Sequence, residues 1–373
     1  MVNCTIIIPT YNRPSYLKRI LNYYSHYGRD FCFIVADSSS GENKLKNKRI
    51  INSVSGIQID YLDHYSCKIT LLGKLNNSLT YADTEYCVFC ADDDFITPAG
   101  IHQSVEFLVK NKDFSCAHGF YISYDLIEFP REKPQLKWCP IYPFNSIIFN
   151  DSCSRLRYLF SSYYQTFYAV HRTNFQKMVF RENVNYANDD RFGELLPSML
   201  DLVYGKMKKI NVLYDMREKI SNSAGARIKN IGHFIKEGTF EKKYYNFKIC
   251  LIKHLRKNVS ISQKEANILI NKGMSVYLKS NYLIESKSTL IRELRNFLDK
   301  MYLPEYVKEN INRLYRSVFL PKHILQNLKD MNLFKNNLEN QDSKYFIDFK
   351  KIHDHILLHA KKSSGEKKYA IKF

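Results

Sequence analysis

Three consecutive aspartates, Asp92-Asp93-Asp94, follow the apolar run Tyr86-Cys87-Val88-Phe89-Cys90-Ala91 and lead straight into Phe95-Ile96-Thr97-Pro98. If the segment stays extended, Asp92 and Asp94 point to one side where a buried strand emerges from a sheet. Two unit charges about 5 Å apart repel by roughly 3 kcal/mol at an effective dielectric of 20, a cost that solvent, a basic partner or a metal can offset. Hard divalent ions such as Mg2+ and Mn2+ suit carboxylate oxygens and keep open positions for phosphate. The acids could equally serve the start of a helix capped by Thr97, with Pro98 at its first position. An EF-hand is excluded, because it needs alternating oxygen ligands, a central glycine and a distal glutamate.

Other residues with chemical potential read more plainly. Cys87-x-x-Cys90 has no second pair and no nearby histidine, and its cysteines face opposite sides of a strand, so it is expected in the core. His118 could line a pocket, but a satisfied core histidine is the commoner outcome. His353-x-His355 and His355-x-x-x-His359 have ligand spacing with nothing nearby to complete a site, so they are read as a polar helix face.

These groups must be positioned by an alternating pattern of strands and helices, the mark of an open α/β sheet. Strands are expected at Cys4–Ile8 with Pro9 as the stop, at 31–35, at 57–62, at the run before the acids, and at 116–124, 167–171 and 209–214. Helices are expected from Pro14 to Tyr24 with Gly28 as terminator, at about 70–82, after Pro98, from Asn174, and over 192–206 despite Pro197. The stretch 128–143, rich in proline and charge, reads as a loop. Polar residues thus gather beyond strand ends, where open α/β sheets bind ligands.

Near His233 the texture changes to basic amphipathic helices. The expected division is 1–230 as the α/β domain, 231–360 as a helical basic domain and 361–373 as a mobile basic tail. Ser262-x-x-Glu265 forms a capping box, and further helices are expected at 288–301 and 306–319. The 373 residues, 45% apolar, are enough for a substantial core without staples. A net charge of +19 suits anionic lipid, phosphorylated substrate or nucleic acid, and no nucleic-acid motif accompanies it. Scattered cysteines, no apolar span and no signal peptide lead to the expectation of a cytoplasmic protein, peripheral on a membrane face at most.

Four pieces in order resemble a known family: Ile6-Ile7-Ile8-Pro9-Thr10-Tyr11-Asn12-Arg13-Pro14, Val35-Ala36-Asp37-Ser38-Ser39, Asn76-Asn77, and Phe89-Cys90-Ala91-Asp92-Asp93-Asp94. Together they resemble nucleotide-sugar glycosyltransferases of the family 2-like GT-A type, in a bacterial branch, over about the first 220 residues. The resemblance implies a GT-A mixed sheet with helices on both faces. It implies that Pro9, Thr10, Tyr11, Asn12, Arg13, Asp37, Ser38, Lys74, Asn77, Asp92, Asp93 and Arg217 meet the nucleotide donor. Asp92 and Asp94 match a DXD element in which Mn2+ or Mg2+ bridges the donor's phosphates, and His233 could complete that metal site. Asp93 is then expected to face away from the pair. An inverting transfer needs a carboxylate base. The family places it eleven residues before the glycine that ends the next helix, which selects Glu194 before Gly205, with Asp190 the other candidate.

The partners implied are a nucleotide-sugar donor and a glycan, lipid-linked or protein acceptor, with membrane contact through the basic helices and a homo-oligomer both open. Two other readings compete. Nucleotidyl transfer would use the same metal and release pyrophosphate, whereas a non-catalytic basic protein binding nucleic acid or membrane would give the aspartates no special role.

Overall fold

The computed structural model describes residues 2–127, 133–141, 145–189, 191–219, 231–280 and 333–369. The expected helices at 288–301 and 306–319, Asp190, and the final residues 370–373 lie outside the described residues.

A single mixed sheet runs β3-β2-β1-β4-β8-β6-β9-β5, with β7 added to β6. Its left half is parallel: β1 (Cys4–Thr10) lies between β2 (Cys32–Asp37) and β4 (Tyr86–Phe89), and β3 (Gln58–Leu62) flanks β2. The order reverses between β1 and β4, so the loops beyond both strands open into one crevice. The right half is mixed. β8 (Val170–Arg172) runs antiparallel to both β4 and β6 (Phe114–Ile127), whereas β9 (Lys206–Glu218) runs parallel to β6. The short β5 (Asp94–Ile96) is antiparallel to β9, and β7 (Gln135–Ile141) to β6.

Pro9 does not end β1, which continues to Thr10 in register with Asp37. Ile7 O accepts from Cys90 N, so alternate residues turn their main-chain polar groups towards β4, which has already ended. The missing N–H of Pro9 therefore costs no ladder bond. The loop expected at 128–143 is also corrected, since residues 135–141 form β7. Its cross-strand partners on β6, including Tyr124 opposite Trp138, outweigh the local proline and charge signals.

Helix ends follow the local chemistry. α1 (Pro14–Tyr27) has proline in its first turn and Gly28 at its C-cap. α3 (Leu71–Leu79) and α4 (Pro98–Lys110) are capped by Thr70 and Thr97, whose hydroxyls accept from Gly73 N and Gly100 N. α2 (Gly41–Ser53) and α5 (Ser152–Ser161) have no counterpart among the sequence expectations. α6 (Thr173–Tyr186) and α7 (Phe192–Tyr204) follow β8.

Beyond residue 230 the described residues are helical. α8 (Ile231–Lys236) precedes α9 (Phe240–Asn258), which packs on α6 and α7. Phe247, Cys250, Leu251 and Leu255 of α9 join the same hydrophobic core as the sheet. The capping box forms as expected, with Ser262 N donating to Glu265 Oε2 (3.0 Å) and Glu265 N to Ser262 Oγ (3.2 Å). The C-terminal helix, Phe346–Tyr369, runs through the first part of the expected tail and contacts α1. Among the described residues, no helix is long and apolar enough to cross a membrane.

Candidate functional site

The ends of β1, β2 and β4 bring three loops together. Asn12 adopts φ 55, the left-handed region that asparagine tolerates better than most residues. In that conformation its N–H donates to Ser39 Oγ (2.7 Å) and its side-chain Oδ1 accepts from Ser40 N (3.1 Å). Lys74, reaching across from α3, donates to Thr10 O (2.8 Å) and Ser38 Oγ (2.9 Å). Its amine is nearly sealed from solvent, and burial pulls it down to about 8, an effect that Asp92 and Asp37 partly offset.

Asp37 is fully buried and turns inward. It accepts from Ser39 N (2.7 Å), Asn47 Nδ2 (2.9 Å) and Tyr61 OH (2.6 Å). In this state it organises the loop beyond β2 as an Asx-type turn, its Oδ1 accepting from the backbone two residues on.

The aspartate triplet is not an extended run. Asp92 and Asp93 form a turn that Asp94 N closes on Ala91 O (3.1 Å), and only Asp94 enters β5. Asp92 accepts from Thr10 Oγ1 (2.7 Å) and pairs with Arg13 Nη1 (2.8 Å), while Asp93 pairs with Arg13 Nη2 (2.7 Å). Asp93 therefore does not face away from Asp92: one guanidinium clasps both. Asp94 instead meets Arg217 Nε across the β5–β9 ladder at 3.1 Å.

Negative charge exceeds what these cations neutralise. Burial lifts the Asp92 carboxyl to about 6 even against Arg13, and that of Asp94 to about 7 even against Arg217. Asp215, on β9, is fully buried and its two carboxylate oxygens have no hydrogen-bond partner. Burial and the neighbouring Asp94 push its carboxyl well above the usual range, with Arg217 Nε no nearer than 3.9 Å. The donors at this turn are carboxylate oxygens, the type that hard divalent cations such as Mg2+ and Mn2+ take, although among the described residues the three-residue groups of metal-capable atoms within 4.8 Å of one another lie elsewhere.

Arg217 also links the acids to α7. Its guanidinium lies 4.6 Å over the Tyr168 ring. With the Gln165 amide oriented by its neighbours, Gln165 Oε1 accepts from Arg217 Nη1 (3.1 Å) and its Nε2 donates to Glu194 Oε1 (3.3 Å). Glu194 thus stands one amide away from the Asp94–Arg217 pair.

The start of α7 is built to hold it there. Asp189 Oδ1 accepts from Arg191 N (3.0 Å) and Phe192 N (2.9 Å), closing the first turn. A Cβ at Gly193 would fall 2.4 Å from Leu72 Cδ1 and 2.9 Å from Ala187 O, so only glycine lets the helix begin this close to α3. Pro197 removes the N–H that would bond Gly193 O, and Asn183 Nδ2 supplies a substitute donor at 2.9 Å.

The sequence candidates divide accordingly. Thr10, Arg13, Ser38, Lys74, Asp92, Asp93, Asp94, Arg217 and Glu194 are brought to one crevice. Pro9 lies within β1 beside it, one residue before the strand ends, and Tyr11 is half exposed on the loop. Asn77 accepts from Tyr65 OH (2.8 Å) on α3. The side chain of His233 lies outside the described residues, like Asp190. His118 is a core histidine: it is buried, within 2.9 Å of Gly119 O, and its burial holds it down at about 4.

Sequence reasoning missed Arg19, Gln165 and Asp215. Arg19 pairs with Glu218 (2.6 Å) and donates to Asp93 O (3.3 Å), bracing the acid turn from α1. None belongs to a local pattern, although a charged residue on the apolar face of α1 was a signal for Arg19.

Residues 5–178 match the sequence model of a family described as Glycosyl transferase family 2. No curated protein sequence matches the chain. Among solved structures, the chain is similar to S. aureus TarS, at 12% identity and TM-score 0.44, covering 74% of this chain and 43% of that one. It therefore spans less than half of that protein's length. It is also similar to S. aureus TarS 1-349 in complex with UDP-GlcNAc, at 14% identity and TM-score 0.46, covering 74% and 72%. A third is mannosyltransferase PcManGT from Pyrobaculum calidifontis in complex with GDP-Man and Mn2+, at 13% identity and TM-score 0.39, covering 77% and 80%.

Proposed function

We propose that this chain, which carries a glycosyl transferase family 2 domain over residues 5–178, moves a sugar from a nucleoside-diphosphate donor to a hydroxyl acceptor with inversion. The observation that carries this reading is the chain of contacts Asp94–Arg217–Gln165–Glu194, which puts a partly exposed carboxylate, itself 3.6 Å from Arg191 Nη1, beside a buried acid cluster.

Asp92 and Asp94 would hold Mn2+ or Mg2+. When bound, the ion supplies charge neutralisation to the diphosphate leaving group. Arg13 and Arg217, now clasping the acids, would meet the incoming phosphates. Each can exchange a carboxylate for a phosphate oxygen as the site fills. Lys74 fixes the loops beyond β1 and β2 that face the nucleotide.

Glu194 acts as the base. The acceptor oxygen attacks the anomeric carbon, the bond from that carbon to the phosphate oxygen breaks, and the nucleoside diphosphate departs with the electron pair. The acceptor's proton passes to Glu194. Gln165 orients Glu194, whose other oxygen lies 3.6 Å from Arg191 Nη1. The helical part beyond residue 230 is assigned to acceptor or membrane contact.

A thermal-shift screen of UDP- and GDP-sugars with and without Mn2+ tests the reading. A donor at about 100 times its dissociation constant should stabilise the fold by about 2.7 kcal/mol, and only with the ion present. No response to any donor, or equal response in chelator, would sink it.

A further inference from the structure

Far from the acid turn, three metal-capable side chains converge where α9 docks on α6. Glu182 projects from α6, and Cys250 and His254 lie one turn apart on α9. All three residues are buried, and their donor atoms lie within 4.8 Å of one another.

The spacings are those of a coordination sphere. His254 Nε2 stands 3.3 Å from Glu182 Oε2, and Cys250 Sγ stands 3.7 Å from the same oxygen. Zinc bonds of about 2.0 Å to nitrogen and oxygen and about 2.3 Å to sulfur give tetrahedral edges of roughly 3.3 and roughly 3.5 Å. His254 Nε2 is buried and, though near the carboxylate, is not aligned for a hydrogen bond. Its other nitrogen, Nδ1, lies 2.7 Å from Tyr204 OH, a hydroxyl that can accept from Nδ1–H and so suits the tautomer that leaves Nε2 open to a metal.

Lys253 now holds Glu182, with Nζ 3.1 Å from both oxygens, but its side chain is 55% exposed and free to swing into solvent. A second buried group among the described residues, Cys116, His171 and Asp201, is less suited. There, Thr166 and His171 both engage the same Asp201 oxygen in the core.

We propose that Glu182, Cys250 and His254 form a zinc site that clips the C-terminal helical part of the chain to the sheet domain. Thiolate and imidazole favour zinc over magnesium or manganese, so the site is chemically distinct from the aspartate cluster. On binding, the thiol proton of Cys250 leaves to water and the ammonium of Lys253 is displaced; water completes the sphere. The inference does not depend on the proposed sugar transfer.

The test uses the full chain, stripped with chelator and held in excess Mg2+ to occupy hard sites, then titrated with Co2+ alone. A thiolate-to-cobalt charge-transfer band saturating at about one equivalent, and displaced by Zn2+, is expected. Cys250→Ser should abolish it, while Cys67→Ser, which removes an exposed cysteine, should leave it intact. Tyr204→Phe should retain the band with zinc affinity about 10-fold weaker. Absence of the band in the unmodified chain overturns the proposal without recourse to any variant. A band that survives Cys250→Ser, or that vanishes with Cys67→Ser, overturns it as well. If Cys250→Ser fails to fold, the unmodified chain, Cys67→Ser and Tyr204→Phe still decide.

Discussion

Asp94 and Arg217 are partners twice over: they face each other in the β5–β9 register, and their side chains form a 3.1 Å ion pair at the mouth of the crevice. The backbone pairing fixes where the guanidinium can reach. The acid cluster is thereby tied to α7 through Gln165.

Asp94→Asn removes the charge without the volume. Because burial already opposes the charged form, and the Arg217 side chain is a quarter exposed, the stability change should stay near about 1 kcal/mol. Transfer should fall by on the order of 100-fold or more, and Mn2+ should no longer enhance donor stabilisation. Steady-state kinetics beside a melting curve measure both, and retained transfer would remove Asp94 from the mechanism.

For Glu194→Gln, kcat should drop by roughly 100- to 10,000-fold while the KM for donor changes little, as expected of a base that acts only in the transition state. Gln165→Ala should give a smaller loss and shift the acidic limb of the kcat profile, because Arg217 can then approach Glu194. A Gln165→Ala profile identical to that of the unmodified chain would deny it a positioning role.

Stability of the divalent-free protein should run against the usual acid trend. The Asp92 and Asp94 carboxyls sit at about 6 and about 7 in the fold, above the unfolded value near about 3.9. Between about pH 4 and pH 7 the folded state therefore holds protons that the unfolded chain releases. These groups make stability fall as pH rises through that window. Urea midpoints at several pH values in low salt measure this. If the Asp92→Asn, Asp94→Asn double variant keeps the same slope, other groups are responsible.

Removing Asp37 should be costly to the fold itself. Asp37→Ala removes the acceptor of the Ser39 N–H, of the half-buried Tyr61 hydroxyl and of one of the two Asn47 Nδ2 contacts, the other being to Ser39 Oγ, at about 1–3 kcal/mol for each donor left unpaired. Urea unfolding should show a loss of about 3 kcal/mol or more; a loss under about 1 kcal/mol would mean the loop repacks without it.

Features whose cause lies within one helical turn or one strand were legible beforehand. Thr97 and Pro98 at the start of α4, Gly28 after α1, and the Ser262–Glu265 box are such features, because capping joins residues three or four apart. β7 was obscured because its cross-strand partners on β6 compete with a local proline. β5 was hidden because its first residue is a charged one whose partner, Arg217, is 123 positions away.

The sequence by itself determined the alternation of strands and helices, the burial of the strands and the gathering of polar loops at their ends, since periodicity and caps are local properties of the chain. Only the tertiary structure decided which charges meet. The turn at Asp92 and Asp93, the clasp of Arg13 on both, and the reach of Arg217 to Asp94 and Gln165 depend on sheet order. So does the loss of Asp215's hydrogen-bond partners. Electrostatic contacts are set by distance in space and by burial, and neither quantity exists until the strands have paired.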